Sequence, residues 1–481
     1  MATVANTKIV QTEARPYRPE IDSLRAVAVI AVLISHWAPK IMGPVNWGHA
    51  GVYMFFVISG FVITRGLLRE RNAGQGQINV VAFYTRRALR IWPIYYLSIA
   101  FYLLIWPGMS GSEALWHSAF LSNLFFSLNH GDGFPIHFWS LSVEEQFYLV
   151  WPFITLLPSR ILWKVCCAMI VAAPVSRLFF YGHIHNVEAT LYSLTSNVDC
   201  LAFGALLALF EQRRQQGLAF PHVVTGCIGA VLTMCVFAGD LTGHWAYGIV
   251  LWPTAIGCLT ASLIAWMDGS PTAIAIACRP TLQYLGRISY GIYLYHLAVG
   301  RYLFDQTVVR NMSPLAFFLI AFAITVAVAS ASWYLIEKPF VALGRRHRDG
   351  SKSPRIAMSM AIACAVLLVP LGMNQLFLRN ALPVVSLQTK IVDYGPRTID
   401  LAHLDPAGTP IWMKINGDLP PGTVAVIGGE RIPMWKSDDV VAFKLTPDLL
   451  LRPSHQTVFL EHRGFVTVAR TAQVGLEIGS N

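Results

Sequence analysis

The feature that most constrains this chain is a series of apolar runs, each long enough to cross a lipid bilayer. A helix that spans the hydrocarbon core needs about 20 apolar residues. The predicted spans lie near residues 21–39, 49–68, 90–107, 141–158, 161–180, 194–210, 222–239, 245–267, 284–304, 314–336 and 356–378. These runs predict an all-α polytopic membrane bundle of about ten core transmembrane helices plus an eleventh.

The composition agrees with that class. Hydrophobic residues make up 55% of the chain and charged residues 13%, whereas an ordinary soluble domain carries roughly 25% charged residues. The polar first twenty residues lead into the first apolar run without an A-x-A-like cleavage site, so we expect no cleavable signal peptide.

The net charge of +10 resides in the helical part, because residues 382–481 hold nine Lys/Arg against ten Asp/Glu. With a cytoplasmic N-terminus, the inner segments hold about 21 Lys/Arg and the outer loops about four. Positive residues favour cytoplasmic loops, so this orientation is predicted. No basic face interleaved with aromatic residues suits nucleic acid.

The chain divides into four predicted segments. Residues 1–20 form a cytoplasmic N-terminal segment, 21–345 the membrane domain, 346–380 a cytoplasmic loop with the eleventh span, and 381–481 a domain outside the membrane. Short alternating runs separated by turn residues characterise the last segment and predict a small extracytoplasmic all-β sandwich of about seven to nine strands. All eight cysteines lie in or beside apolar segments, so we expect small apolar fillers and no metal site.

The first apolar run carries three ionisable residues, Asp22, Arg25 and His36. Arg25 and His36 are eleven positions apart, or about 1100° of helix, so they share one face about 16 Å apart. Asp22 lies three positions before Arg25 and is expected to pair with it. Ionisable groups within a span usually face the bundle interior or a water-filled cavity and mark function. A structural histidine bonded to a backbone carbonyl is the competing interpretation.

Two further polar clusters lie on predicted helices. Arg87 and Arg90, at i and i+3, share a helical face beside aromatic residues. Such a pair suits bidentate phosphate binding, although positive-inside anchoring explains it equally well. Tyr290, Tyr293 and His296 follow one another at three-residue intervals, which indicates either a polar stripe or an aromatic interface belt.

A carboxylate pair, Glu144 and Glu145, lies at the predicted start of the fourth span, after a segment that contains His137. The helix dipole favours acids there, so one of the two carboxylates is explained by that effect alone. The chain lacks H-E-x-x-H, G-x-S-x-G, Walker A and G-x-G-x-x-G motifs. Hydrolase, ATPase and dehydrogenase functions therefore have no motif to support them.

Six ordered blocks carry a resemblance to a known family: RPEIDSLRAVAVIAVLISH, FFVISGFVIT, FYTRRALRIWPIYYL, HFWSLSVEEQFYLVWP, GRISYGIYLYHLAV and EKPF. Together they resemble the acyltransferase 3 family of membrane O-acyltransferases, over roughly residues 17–345. The resemblance implies a multi-pass protein of the bacterial inner membrane. It also implies transfer of an acetyl or short acyl group from cytosolic acetyl-CoA to a hydroxyl of a glycan or glycolipid at the outer face, as in enzymes that modify lipopolysaccharide O-antigens, exopolysaccharides and Nod factors.

The family pattern assigns roles to residues of this chain. Its Arg and His on the first helix correspond to Arg25 and His36, and its Arg-x-x-Arg to Arg87 and Arg90. We expect the three arginines to hold the phosphates of acyl-CoA. His36 is expected to act as general base or as nucleophile, with Glu144 orienting the imidazole or receiving its proton. The residues expected to support them are Asp22, Ser142, His137, Tyr293 and His296.

The resemblance also leads to expectations about the C-terminal tail and the binding partners. Some family members carry an SGNH-type domain after the bundle, but this tail lacks a G-D-S block, so no second catalytic centre is expected. The predicted partners are acyl-CoA, a glycan acceptor and the lipid bilayer, with homo-oligomerisation left open. A transporter with an intramembrane proton relay and an extracytoplasmic recognition domain is the alternative. A receptor or scaffold that works through its outer domain is a third.

Overall fold

The structure is a computed structural model. It describes residues 18–38, 47–105, 111–128, 135–184, 186–213, 218–242, 246–304, 312–346, 384–386, 389–400, 409–417, 419, 423–427, 430–432, 434–445, 454–463 and 468–479. The predicted N-terminal segment up to residue 17 and the predicted eleventh span at 356–378 lie outside these residues.

The N-terminal two thirds are helical. The helices are α1 Pro19–Trp37, α2 Trp47–Ala73, α3 Val80–Ile105, α4 Gly111–Ser118, α5 Ser122–Leu128, α6 Phe138–Thr155, α7 Ser159–Phe179, α8 Val187–Tyr192, α9 Val198–Arg213, α10 His222–Leu241, α11 Ala246–Gly269, α12 Pro271–Ala277, α13 Pro280–Arg287, α14 Ser289–Phe304, α15 Pro314–Ser332 and α16 Lys338–Arg346. Within the described residues each of the first ten predicted spans lies largely on helix, so the helical character of this part is confirmed.

Five stretches of helix within the described residues are long and apolar enough to cross a membrane. They are Trp47–Ala73, Ser159–Ile184, His222–Gly239, Gly248–Asp268 and Pro314–Gly344. Helix α1 has a suitable length, but Glu20, Asp22 and Arg25 lie within its first seven residues. Such charges are costly in lipid, so α1 depends on polar neighbours in the bundle.

Two helical boundaries differ from the sequence prediction. The third predicted span starts near residue 90, whereas α3 begins at Val80, because the basic segment ahead of the apolar run continues the same helix. The predicted span 284–304 is two helices that meet at Ile288. Just before this junction Gly286 packs directly on the backbone carbonyl of Asp22, where any side chain would collide.

The helices pack around one buried apolar cluster. A close approach joins α2 and α9, where Gly60 lies against the backbone of Leu201 and Gly204 against the backbone of Val57. Small residues at such crossings let two helix backbones come together, which is the usual way that helices associate in membranes.

The last hundred residues form a small β region of two sheets. The described strands are β1 Val384–Ser386, β2 Lys390–Gly395, β3 Thr398–Asp400, β4 Thr409–Asn416, β5 Val424–Ile427, β6 Glu430–Ile432, β7 Trp435–Ser437, β8 Val440–Leu445, β9 Ser454–Arg463, β10 Val468–Arg470 and β11 Val474–Gly479. One sheet has seven strands, and the other has four in the order β2-β4-β8-β7.

Residues that alternate between buried and exposed along the strands form the core of this region. Ile411, Met413 and Ile415 of β4 are buried, and they share one apolar cluster with residues of both sheets, among them Phe443 and Leu460. The β character is therefore confirmed, but the described strands number eleven rather than seven to nine. The additional ones are three-residue strands such as β7, which are too short to show an alternating pattern.

Candidate active site

A cavity in the helical bundle gathers most of the predicted polar residues. Its lining includes Arg25 of α1, Arg87 and Arg90 of α3, Glu144 of α6 and Tyr293 of α14. Its volume is about 90 Å³. Because Arg87 and Arg90 lie one turn apart on α3, their guanidinium groups enter the cavity from one helical face.

Two arginines of the cavity have no polar partner within the part of the chain that the structure describes. Neither the guanidinium of Arg87 nor that of Arg90 makes a hydrogen bond or ion pair there. Arg87 instead lies over the rings of Phe83 and Tyr148, 5.9 and 5.6 Å from their centroids. The preceding residue, Arg86, forms an ion pair with Glu70 at 3.0 Å. The arginine cluster is thus divided between one paired member and two members with donors available.

Arg25 and Glu144 of the cavity are each held by a hydrogen bond to a serine. Nε of Arg25 donates to the hydroxyl of Ser289 at 3.2 Å, and the hydroxyl of Ser59 donates to Oε1 of Glu144 at 2.6 Å. Glu144 is the seventh residue of α6, which begins at Phe138, so it does not cap the helix N-terminus. The cavity therefore combines three guanidinium groups with carboxylates, Glu145 included.

A histidine pair lies further along the same two helices, α1 and α14. Nδ1 of His36 is 3.2 Å from Nε2 of His296, and the ring centroids are 4.9 Å apart. His296 is fully buried, whereas His36 is exposed. Thus Arg25 and His36 of α1 both contact α14, at Ser289 and at His296 respectively.

The hydrogen bonds of this pair assign its tautomers. Nδ1 of His296 lies 2.7 Å from the carbonyl oxygen of Tyr293, which only accepts, so this nitrogen carries hydrogen. In the neutral ring Nε2 of His296 then accepts. Nδ1 of His36 therefore donates, shared between His296 and the carbonyl of Val32 at 3.0 Å. The lone pair of His36 is left on Nε2, the nitrogen available for chemistry.

Tyr293 connects the cavity to the histidine pair. Its hydroxyl donates to the carbonyl of His137 at 2.9 Å and lies 2.6 Å from the hydroxyl of Ser140. Its ring lines the cavity and packs 5.7 Å from the ring of His296. The ring of His137 completes the cluster, 5.0 Å from His296. Tyr293 therefore contacts both the arginine cavity and the imidazole of His296.

Two predicted supporting residues lie elsewhere. The hydroxyl of Ser142 accepts from the backbone N–H of Ser122 at 3.1 Å and faces α5. Asp22 lies where the α13–α14 junction crosses α1, with its carbonyl against Gly286. Its predicted pairing with Arg25 stays a prediction.

Within the part of the chain that the structure describes, no hydrogen bond joins Glu144 to His36, so the predicted role of Glu144 toward the imidazole stays a prediction. Among the described residues the imidazole of His36 contacts Val32 and His296, while Glu144 lies in the arginine cavity with Ser59. The sequence interpretation also missed the cavity serines Ser59 and Ser289. A lone serine in an apolar run is a weak signal, because it satisfies itself on the preceding turn as readily as it serves a site.

Comparison with known proteins identifies the family of the helical part. The family model described as an acyltransferase domain, Acyl_transf_3, matches residues 18–334. The Bacillus subtilis protein named "Putative peptidoglycan O-acetyltransferase YrhL" is 28% identical over 376 residues, covering 70% of this chain and 57% of the relative. "Peptidoglycan O-acetyltransferase OatA" of Listeria monocytogenes is 27% identical over 320 residues, covering 60% of this chain and 50% of the relative. The chain thus spans little more than half the length of these relatives. No solved structure matches the chain.

Proposed function

Because the chain belongs to the acyltransferase 3 family, we propose that it is a membrane O-acyltransferase that moves an acetyl or short acyl group from acyl-CoA to a hydroxyl of a glycan or glycolipid. The observation that carries this proposal is the adjacency of two sites. Arg87 and Arg90 offer donors in a cavity, and Tyr293 both lines that cavity and packs against His296 of the His36–His296 pair.

In this proposal the cavity binds the donor. Coenzyme A carries phosphates at one end and the thioester at the other, joined by a flexible arm. Guanidinium groups bind phosphate through paired N–H donors, so Arg87 and Arg90, with Arg25, hold the phosphates. The thioester then reaches past Tyr293 toward His36.

The histidine pair supplies the proton transfer. Nε2 of His36 takes the proton of the acceptor hydroxyl while the hydroxyl oxygen attacks the thioester carbonyl carbon. The C–S bond breaks, and the imidazolium of His36 returns the proton to the thiolate of coenzyme A. His296 accepts the Nδ1 hydrogen of His36 throughout, which fixes the ring orientation and supports the charge that develops on it.

The proposed topology follows the distribution of charge. The N-terminus is cytoplasmic, ten spans and an eleventh at 356–378 cross the inner membrane, and the β region forms a sandwich at the outer face. The excess of Lys/Arg in the predicted inner segments supports this orientation, and the apolar cluster shared by the two sheets supports the sandwich. Donor and acceptor then approach from opposite sides. Family membership does not favour the transporter alternative.

Replacing His36 by Ala in the full chain in lipid nanodiscs tests the proposal. We expect transfer of labelled acetyl from acetyl-CoA to fall at least about 100-fold, the usual contribution of a positioned general base. His183→Ala is the matched control, because His183 is also an exposed histidine of the helical part but lies on the π-helical turn after α7. Transfer at the original rate by His36→Ala would contradict the proposal.

A further inference from the structure

The outward face of the four-stranded sheet carries two exposed tryptophans that the acyl-transfer site does not use. Trp412 of β4 is 42% exposed and Trp435 of β7 is 51% exposed. Their neighbours along β4, Ile411 and Met413, point to the core and are fully buried. The two indoles therefore belong to the solvent face of the sheet.

The strand register places both indoles in one row. Trp412 is paired with Ala442 of β8, and Trp435 is paired with the same Ala442 from the other side. Residues directly opposite one another across a sheet share a face. Adjacent strands are about 4.8 Å apart, so the two tryptophan backbones lie roughly 10 Å apart with only a methyl group between them.

The neighbouring strand on the other side leaves room for the indole of Trp412. The residue paired with it on β2 is Gly395. A Cβ at Gly395 would lie 3.0, 3.1 and 3.2 Å from Cζ2, Cε2 and Nε1 of Trp412. The indole thus occupies space that a side chain at position 395 would otherwise take. Gly395 on one side and Ala442 on the other keep this row open, so large flat rings alternate with almost no side chain.

Charged residues border the row. On β4 the ammonium of Lys414 lies 3.3 Å from a carboxylate oxygen of Asp439. Asp393 of β2 is paired in register with Lys414 and forms an ion pair with Arg397 at 3.4 Å. These side chains are about half exposed or more. They place hydrogen-bond donors and acceptors beside the aromatic surface.

This combination fits a carbohydrate. A pyranose ring has an apolar face of C–H groups, which packs on an electron-rich aromatic face, and a rim of hydroxyls, which need donors and acceptors. An apolar protein partner would leave the bordering charges without water or partners, at a cost in free energy. The spacing of roughly 10 Å between the two tryptophan backbones is comparable to the length of two linked pyranose rings.

We propose that Trp412 and Trp435, with Ala442 between them, form a carbohydrate-binding platform for a linear glycan of at least two pyranose rings. Glycan binding at this platform is independent of acyl transfer. That the bound glycan is the acceptor of the reaction rests on the proposed function.

The test measures binding of tetrasaccharides to the full chain in lipid nanodiscs by calorimetry. The probes are chitotetraose, cellotetraose and maltotetraose, each compared with its monosaccharide. We expect at least one tetrasaccharide to bind more tightly than its monosaccharide. Trp412→Ala and Trp435→Ala should each weaken that binding roughly threefold to tenfold, the range for loss of one aromatic contact.

Two further variants control this result. Trp412→Phe keeps a flat ring and should retain part of the affinity. Val392→Ala removes another exposed apolar side chain of the same sheet, outside the tryptophan row, and should bind as the unaltered protein does. Unfolding temperatures of all variants are measured alongside, and both tryptophans are exposed, so little change is expected.

Two outcomes would overturn the platform: no tetrasaccharide binds to the unaltered chain, or binding survives the double variant Trp412→Ala/Trp435→Ala. A platform that serves a protein partner would give the first of these. Failure of the proposed enzyme function is distinguishable, because thioester turnover would be missing while glycan binding and its dependence on both indoles remained.

Discussion

The helical bundle buries arginine in two different ways. Arg177 of α7 is 1% exposed and is surrounded by acceptors, with Asp199 at 2.8 and 3.3 Å, the hydroxyl of Thr254 at 2.6 Å and the carbonyl of Ser196 at 2.5 Å. Arg87 and Arg90 share a cavity of the same bundle with Glu144 and Glu145, yet neither guanidinium makes a hydrogen bond or ion pair with a described residue. Both terminal nitrogens of Arg177 have partners within the protein, although its Nε has none among the described residues, whereas neither Arg87 nor Arg90 is paired.

The presence or absence of protein partners distinguishes an arginine that stabilises the fold from an arginine that can bind a ligand. A buried ion requires partners, because the cost of removing it from water is several kcal/mol. At Arg177 the protein supplies the partners, which join α7, α9 and α11. Arg87 lies over two aromatic rings, and the cavity that it lines together with Arg90 leaves their N–H donors for an anion. Sequence position alone does not distinguish the two, since all three arginines lie at or near the ends of apolar runs.

The largest change in the free energy of unfolding is expected at Arg177. Arg177→Met leaves the carboxylate of Asp199 buried without its ion pair, so the free energy of unfolding should fall by about 3–5 kcal/mol. Denaturant unfolding in detergent micelles measures this loss. The double variant Arg177→Met/Asp199→Leu should recover part of it, because no charge then stays unpaired. Full stability with lost acyl transfer in Arg177→Met would instead place Arg177 in the active site.

At Arg87 and Arg90 a smaller effect is expected, on the KM for acetyl-CoA rather than on stability. Arg87→Ala and Arg90→Ala should each raise the KM for acetyl-CoA roughly tenfold to 100-fold, because each removes a charged hydrogen bond to phosphate worth about 1.5–3 kcal/mol. The free energy of unfolding should change little. Steady-state kinetics with donor and acceptor varied separately measure the effect. Equal increases in KM for both substrates would mean that these arginines do not select the donor.

A conservative substitution at Arg87 separates the effect of its charge from that of its geometry. Arg87→Lys keeps the positive charge but loses the planar fork of donors. Its KM for acetyl-CoA should therefore lie between those of the unaltered protein and Arg87→Ala. A KM as high as that of Arg87→Ala would show that geometry outweighs charge, and an unchanged KM would show the opposite.

The smallest effect is expected at Arg86, the neighbour of Arg87. Its ion pair with Glu70 joins two partly exposed side chains, and such pairs contribute about 1 kcal/mol or less to stability. Arg86→Ala should therefore leave both unfolding and the KM for acetyl-CoA nearly unchanged. A donor KM raised as far as in Arg87→Ala would show that the whole basic cluster acts as one surface charge.

Local patterns predicted much of this architecture. The length of the apolar runs located the helices, and the alternation of apolar and polar residues located the β region. The face shared by Arg87 and Arg90 follows from helical geometry. The predicted helix boundaries were wrong where a helix continues beyond its apolar run, as α3 does from Val80. They were also wrong where a helix breaks near a crossing, as at Gly286. Both failures arise because hydropathy reports the surroundings of a helix rather than its backbone conformation.

The site was predicted less completely, because its key contacts join distant parts of the chain. His36 and His296 are 260 positions apart, and no local pattern indicates that they touch. Glu144 was expected beside His36 because the two residue types suit each other chemically. The fold instead places this carboxylate against Ser59 in the cavity. Residue type thus indicated which groups matter, while packing decided which of them meet.

The most direct test asks whether Arg87 and Arg90 recognise the phosphates of the donor. The measurement compares kcat/KM for acetyl-CoA with kcat/KM for acetyl-pantetheine, which carries the same thioester without phosphates, in the unaltered chain and in Arg87→Ala/Arg90→Ala. We expect a strong preference for acetyl-CoA that disappears in the double variant and is unchanged in Arg86→Ala. A preference of the same size in the double variant would contradict it.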